Sequence, residues 1–152
     1  MKVTDYVDKN RILLNFCASD KQEAIQKLSL TLKDASEISD YKKFMQAVFE
    51  RENLSSTGIG KSVAIPHART DAVNKFIIAI GRLQDGIDFN ALDSRPVQLI
   101  FLMGTPQKDG INQYLKILAH LTRLLKKDAV KDKLLEAKKP EEIITAFAEF
   151  ES

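Results

Sequence analysis

One of the chain's two histidines, His67, stands directly behind a proline in the run Arg51–Arg69, RENLSSTGIGKSVAIPHAR. Pro66 fixes its own φ and drives Ile65 toward extended backbone, so Val63-Ala64-Ile65 is expected to form a short strand that stops there. His67 then leaves a strand end in a defined direction. A neutral imidazole is a good nucleophile near pH 7 because one ring nitrogen keeps its lone pair. It can take a phosphoryl group and release it again, since the phosphoramidate bond is labile. For that, the other ring nitrogen must donate its proton to a fixed acceptor, which selects the tautomer. The plainer alternative is a histidine that only hydrogen-bonds a neighbouring carbonyl at a strand end.

Phosphoryl transfer asks a protein for positioning and positive charge more than for acid–base work. Arg51 is the first candidate for that charge, because a guanidinium can bind two phosphoryl oxygens at once. Against this, the run Glu50-Arg51-Glu52 also reads as the solvated face of a helix. Thr57 offers a hydroxyl, and Gly58 and Gly60 offer backbone amides that can approach a phosphoryl group closely. The glycines serve a tight turn equally well.

The same segment contains Gly60-Lys61-Ser62, the tail of a phosphate-cradling P-loop, which would make the protein a nucleotide hydrolase. That pattern needs a glycine five residues before Gly60, where the chain has Ser55. It also needs a helix opening at the Lys-Ser pair, so that helix amides face the phosphate. A β-branched run closed by proline follows instead. Upstream, Phe44 to Glu52 reads as helix rather than as the strand a P-loop follows. The nucleotide reading is the remote one.

The elements that must position these groups alternate along the chain. Ile12 to Phe16 is a short apolar run and reads as a strand. Ser19 with Gln22 forms a capping box opening a helix to about Leu32, with Ala24, Ile25, Leu28 and Leu32 on one face. A second helix is expected to start near Ser39-Asp40 and to turn Phe44, Ala47 and Val48 inward. Phe76 to Ile80 and Val97 to Met103 are continuous apolar runs, the pattern of strands buried on both faces. A helix from about Asn112 to Lys127 follows, then two shorter ones, the last with Pro140 in its first turn. At about 100° per residue, His120 falls opposite the face formed by Ile111, Leu115, Leu118 and Leu125 and reads as solvent-facing, whereas Tyr114 falls on the apolar side. The expected fold is a single α/β layered domain over residues 1–152, a mixed β-sheet flanked by helices on both sides.

Composition narrows the function classes. With 152 residues, 44% apolar and 29% charged, the chain is long enough for a real core and has the balance of an ordinary globular protein. A formal net charge of +2 is too small to imply nucleic acid. No apolar run approaches a membrane span, and Met1-Lys2-Val3-Thr4-Asp5 lacks the apolar core of a signal peptide. The single Cys17 excludes an internal disulfide and fits a reducing compartment, so a cytoplasmic location is expected. No metal or cofactor is expected.

Taken in order, Arg51-Glu52, Leu54, Ser56-Thr57-Gly58-Ile59-Gly60 and Ala64-Ile65-Pro66-His67-Ala68 resemble a known signature. It is the phosphohistidine signature of the mannitol/fructose-type enzyme IIA family of the phosphoenolpyruvate-dependent sugar phosphotransferase system. A second block, Gly86-Ile87-Asp88-Phe89, Leu92-Asp93 and Pro96-Val97 to Leu99-Ile100-Phe101-Leu102, is similar to the same family, and the likeness covers nearly the whole chain. The resemblance implies a phosphocarrier that accepts a phosphoryl group from phospho-HPr on His67, with Arg51 stabilising its charge. Two roles follow from it. The favoured one is a stand-alone regulator of the nitrogen branch that binds target proteins. The alternative is a sugar-specific component passing phosphate to a IIB domain. Members commonly carry a second histidine at the start of the helix after the last long strand, where this chain has Tyr114. That residue is then either a core tyrosine or a neutral hydrogen-bond donor near the phosphoryl group. Ile59, Val63 and Phe89 are candidate apolar contributors to the partner face, with a place in the core as the alternative.

Overall fold

The two longest apolar runs pair with each other at the centre of the molecule. The computed structural model describes residues 2–108 and 110–151. In it β5 (Ile77–Ile87) lies antiparallel to β6 (Val97–Pro106), and β1 (Ile12–Phe16) runs parallel along the other edge of β5. Beyond β6 come β3 (Val63–Ala64) and β4 (His67–Thr70), both parallel to it, with β2 (Gly58–Gly60) antiparallel to β3 at the far edge. The sheet is thus mixed and six-stranded.

Period-two alternation splits its side chains between two cores. Ile77, Ala79, Ile100 and Leu102 face a cluster with α1 (Lys21–Ser29) and α2 (Tyr41–Leu54), through Ile25, Leu28, Phe44 and Val48. Ile78, Ile80, Leu99, Phe101 and Met103 face the opposite cluster, with α3 (Gly110–Leu125), α4 (Asp128–Glu136) and α5 (Pro140–Glu151). Helices therefore cover both faces, which is why these strands carry no polar alternation. Each large side chain so buried contributes about 1.5–3 kcal/mol. Arg82 on β5 is buried as well, donating to the carbonyls of Leu134 and Leu135 at the end of α4 and to Asn15.

Three local expectations shift. The first helix is capped by Asp20, whose carboxylate accepts from the Glu23 amide at 2.8 Å, and Ser19 instead contacts the Glu23 side chain. It is α-helical only to Ser29, and a 3₁₀ turn, Leu30–Leu32, completes it. The third shift is a rotation of α3. Its buried residues are Ile117, Leu121, Leu124 and Leu125, while Ile111 and Leu115 stand 54% and 49% exposed. His120 is accordingly not a free solvent-facing residue. Its Nε2–H donates to the Glu151 carboxylate at 2.5 Å, and the same carboxylate accepts from the amides of Val3 and Thr4, tying the two ends of the chain together.

Candidate functional site

The site begins at a break in a strand. β3 and β4 follow the same edge of β6, interrupted by Ile65-Pro66, because proline has no N–H for the ladder. The Pro66 carbonyl still accepts from the Met103 amide at 3.0 Å, so the chain resumes pairing at once. His67 therefore opens a new strand rather than leaving the end of the old one. The break turns the Ile65 carbonyl toward the imidazole, and His67 Nδ1–H donates to it at 2.7 Å. The Ile65 amide is itself held by the Thr57 carbonyl at 3.0 Å. With Nδ1 carrying the proton, Nε2 keeps the lone pair. Burial pushes the His67 pKa below the ordinary 6.5; the Ile65 hydrogen bond and the Glu52 charge oppose that, and the Arg51 charge adds to it. The ring is neutral at physiological pH.

Around it lies an open cleft of about 560 Å³ whose walls include Arg51, Leu54, Arg69, Ile111 and Tyr114. β4 pairs only with β6, so its outer edge is open, and α2 and α3 come from opposite faces of the sheet to flank it. The end of α2 presents unsatisfied carbonyls and the negative pole of its dipole, and Arg51 Nη1 donates to the Ser55 carbonyl there at 2.8 Å. From the other side, the first turns of α3 bring the positive pole of that helix. Tyr114 sets its ring edge-on to His67, with centroids 5.3 Å apart and planes at 84°. Burial raises the Tyr114 phenol above 10.0, with the Arg51 charge partly opposing, so it is a neutral donor at any physiological pH.

Arg51, His67 and Tyr114 are thus brought together, and Thr57, Gly58 and Gly60 do not line the cleft. Both Thr57 donors are spent on the buried Glu52 carboxylate, the amide at 2.9 Å and the hydroxyl at 2.6 Å. Gly58 packs so tightly that an added Cβ would lie 2.8 Å from that of Ala91. Gly60 (φ +95°) leads into Lys61 and Ser62, both at positive φ, in the two-residue turn that joins β2 to β3. No helix opens at Lys61-Ser62, which removes the P-loop reading. Val63 and Phe89 are core residues, while Ile59 is 37% exposed.

Two residues at the site escaped the sequence reading. Glu52 looked like part of an exposed charged run, yet it is 3% exposed and anchors the loop that holds Ile65, with Lys21 at 3.5 Å. Arg69 was findable, because residues two apart on a strand share a face. Among the described residues no group of three or more His, Cys, Asp or Glu side chains could hold a metal ion, and no helix is long and apolar enough to cross a membrane.

Residues 5–150 match the family described as phosphoenolpyruvate-dependent sugar phosphotransferase system, EIIA 2. The chain is 39% identical over 129 residues to a PTS system fructose-specific EIIA component of Haloferax volcanii, covering 85% of this chain and 83% of that one. It is 36% identical over 144 residues to the PTS system fructose-specific EIIABC component of Bacillus subtilis, covering 95% of this chain but only 22% of that larger protein. The nitrogen regulatory protein IIA-Ntr of Neisseria meningitidis superposes with a TM-score of 0.88 at 26% identity, over 95% of this chain and 98% of that one. Enzyme IIAMTL in its complex with phosphorylated enzyme IIBMTL from Escherichia coli shares the fold, with a TM-score of 0.81 at 21% identity, over 94% and 97% of the two chains.

Proposed function

Because the chain belongs to the EIIA 2 family of the phosphoenolpyruvate-dependent sugar phosphotransferase system, we propose that it is a phosphocarrier accepting a phosphoryl group from phospho-HPr on Nε2 of His67. The observation that carries this reading is the hydrogen bond from Nδ1–H to the Ile65 carbonyl inside a cleft that also holds Arg51. Neutral Nε2 attacks phosphorus as the donor's P–N bond breaks. The donor ring, protonated on its other nitrogen, leaves as neutral imidazole, and His67 becomes a phosphoimidazolium still donating Nδ1–H to Ile65. No proton has to be found or lost at the moment of transfer. Arg51 meets the charge on the phosphoryl oxygens. Tyr114 fixes the plane of the His67 ring and offers a neutral hydroxyl beside it. Thr57, Gly58 and Gly60 act at one remove, by holding the strand from which Ile65 is presented.

Leu54, Ile111 and Leu115 stand 83%, 54% and 49% exposed on the walls of this cleft. Apolar side chains ringing a reactive group suit brief docking of a donor and then of an acceptor. Two destinations fit the same chemistry. Identity to fructose-specific components favours a IIB domain as acceptor, and the structural match to IIA-Ntr favours a regulated target protein whose binding depends on phosphorylation. Intact mass after incubation with phosphoenolpyruvate, enzyme I and HPr tests the shared step: wild type gains one phosphoryl group and His67→Ala gains none. Adding a IIB domain then separates the destinations, since loss of the phosphoryl group to it marks the sugar route.

A further inference from the structure

We propose that Arg69 is a second guanidinium contacting the transferred phosphoryl group, so that His67 works between two arginines rather than beside one. This rests on His67 as the acceptor. On β4 the exposure alternates: His67 and Arg69 face outward, and Ala68 and Thr70 are buried. Imidazole and guanidinium therefore leave the same face of one strand, in the same cleft as Arg51. The two arginines are held alike. Arg51 donates one N–H to the Ser55 carbonyl at 2.8 Å, and Arg69 donates one to the Gln107 carbonyl at 3.0 Å. Among the described residues neither has a carboxylate partner. A guanidinium has five N–H donors, so each keeps most of its fork for a ligand while its direction is set by one carbonyl.

Charge points the same way. A phosphoryl group brings about −1.5 to −2 to the cleft. The walls also carry Glu50, which offsets Arg51, so with Arg51 alone the cleft would be neutral before the phosphoryl group arrived. Arg69 makes it cationic. Its place on the strand of the nucleophile sets its backbone position relative to His67 independently of either helix.

The test uses phosphoramidate as a small donor, which removes protein docking from the rate: its P–N bond breaks, the bond to Nε2 forms, and ammonia leaves. Phosphohistidine formation is followed by ³¹P NMR for wild type, Arg69→Gln, Arg69→Lys and His67→Ala, with thermal melts confirming that each is folded. Arg69→Gln is expected to slow the reaction about 10- to 100-fold, the equivalent of one charge-assisted hydrogen bond, with part of the rate restored in Arg69→Lys. A wild-type rate in Arg69→Gln overturns the inference and leaves the acceptor role of His67 intact, and a defect seen only with phospho-HPr overturns it in favour of docking. A wild type that takes phosphate from neither donor removes the acceptor reading and the second arginine with it.

Discussion

The reactivity proposed for His67 rests on what is taken from the ring as much as on what is given to it. Burial favours the neutral ring, and the Ile65 carbonyl chooses which nitrogen keeps the proton. A depressed pKa leaves the ring neutral at a pH where a free histidine would be charging. The rate of phosphoryl acceptance should therefore hold steady through 6.5 and fall only below it, measured with a donor whose own ionisation is constant over that range. Arg51 contributes to the depression, so Arg51→Gln should shift this acidic limb to higher pH besides lowering the plateau. A limb that stays put would show that Arg51 does not reach the ring. The same linkage bears on stability: since the folded state binds this proton less readily than the unfolded chain, His67 costs the fold stability as pH drops below the ordinary histidine value.

At the scale of elements, the site depends on a loop that does not line the cleft. Glu52, in the last turns of α2, accepts both the amide and the hydroxyl of Thr57, and the Thr57 carbonyl in turn holds the Ile65 amide. Glu52→Ala strands two buried donors, and a loss of about 2–3 kcal/mol in urea unfolding is expected, with slower phosphorylation of His67 as a second consequence. Equal stability of the two proteins would show that water replaces the carboxylate. This linkage was invisible in the sequence, where Glu50-Arg51-Glu52 has the look of a solvated face. The central strands were legible, because the apolar runs Phe76–Ile80 and Leu99–Met103 can be continuous only if both sheet faces are covered. The break at Pro66 was legible too. Its resumption as β4 was not, since it depends on pairing with Met103 to Pro106, far along the chain. The face of α3 misled for a physical reason: Ile111 and Leu115 are apolar because they line the cleft, not because they enter the core.

The whole molecule is closed by contacts between its ends. Burial would raise the Glu151 carboxyl, yet His120 and the amides of Val3 and Thr4 outweigh it and hold that group below the ordinary 4.5. Its contribution is present above that value and is lost as pH falls beneath it. Glu151→Ala should strip hydrogen-exchange protection from Val3 and Thr4 while leaving phosphorylation of His67 at its wild-type rate, because this clamp lies away from the cleft walls. A lost phosphorylation rate would instead tie the chain ends to the site. What the two cores, the interrupted strand and the paired ends achieve together is a single outcome at one atom: Nδ1 is occupied and Nε2 is offered. Long-range ¹H–¹⁵N correlation spectra of the phosphorylated protein test this most directly. Phosphate on Nε2 of His67, with Nδ1 still protonated, is the predicted result. Phosphate on Nδ1, or on any other residue, would contradict it.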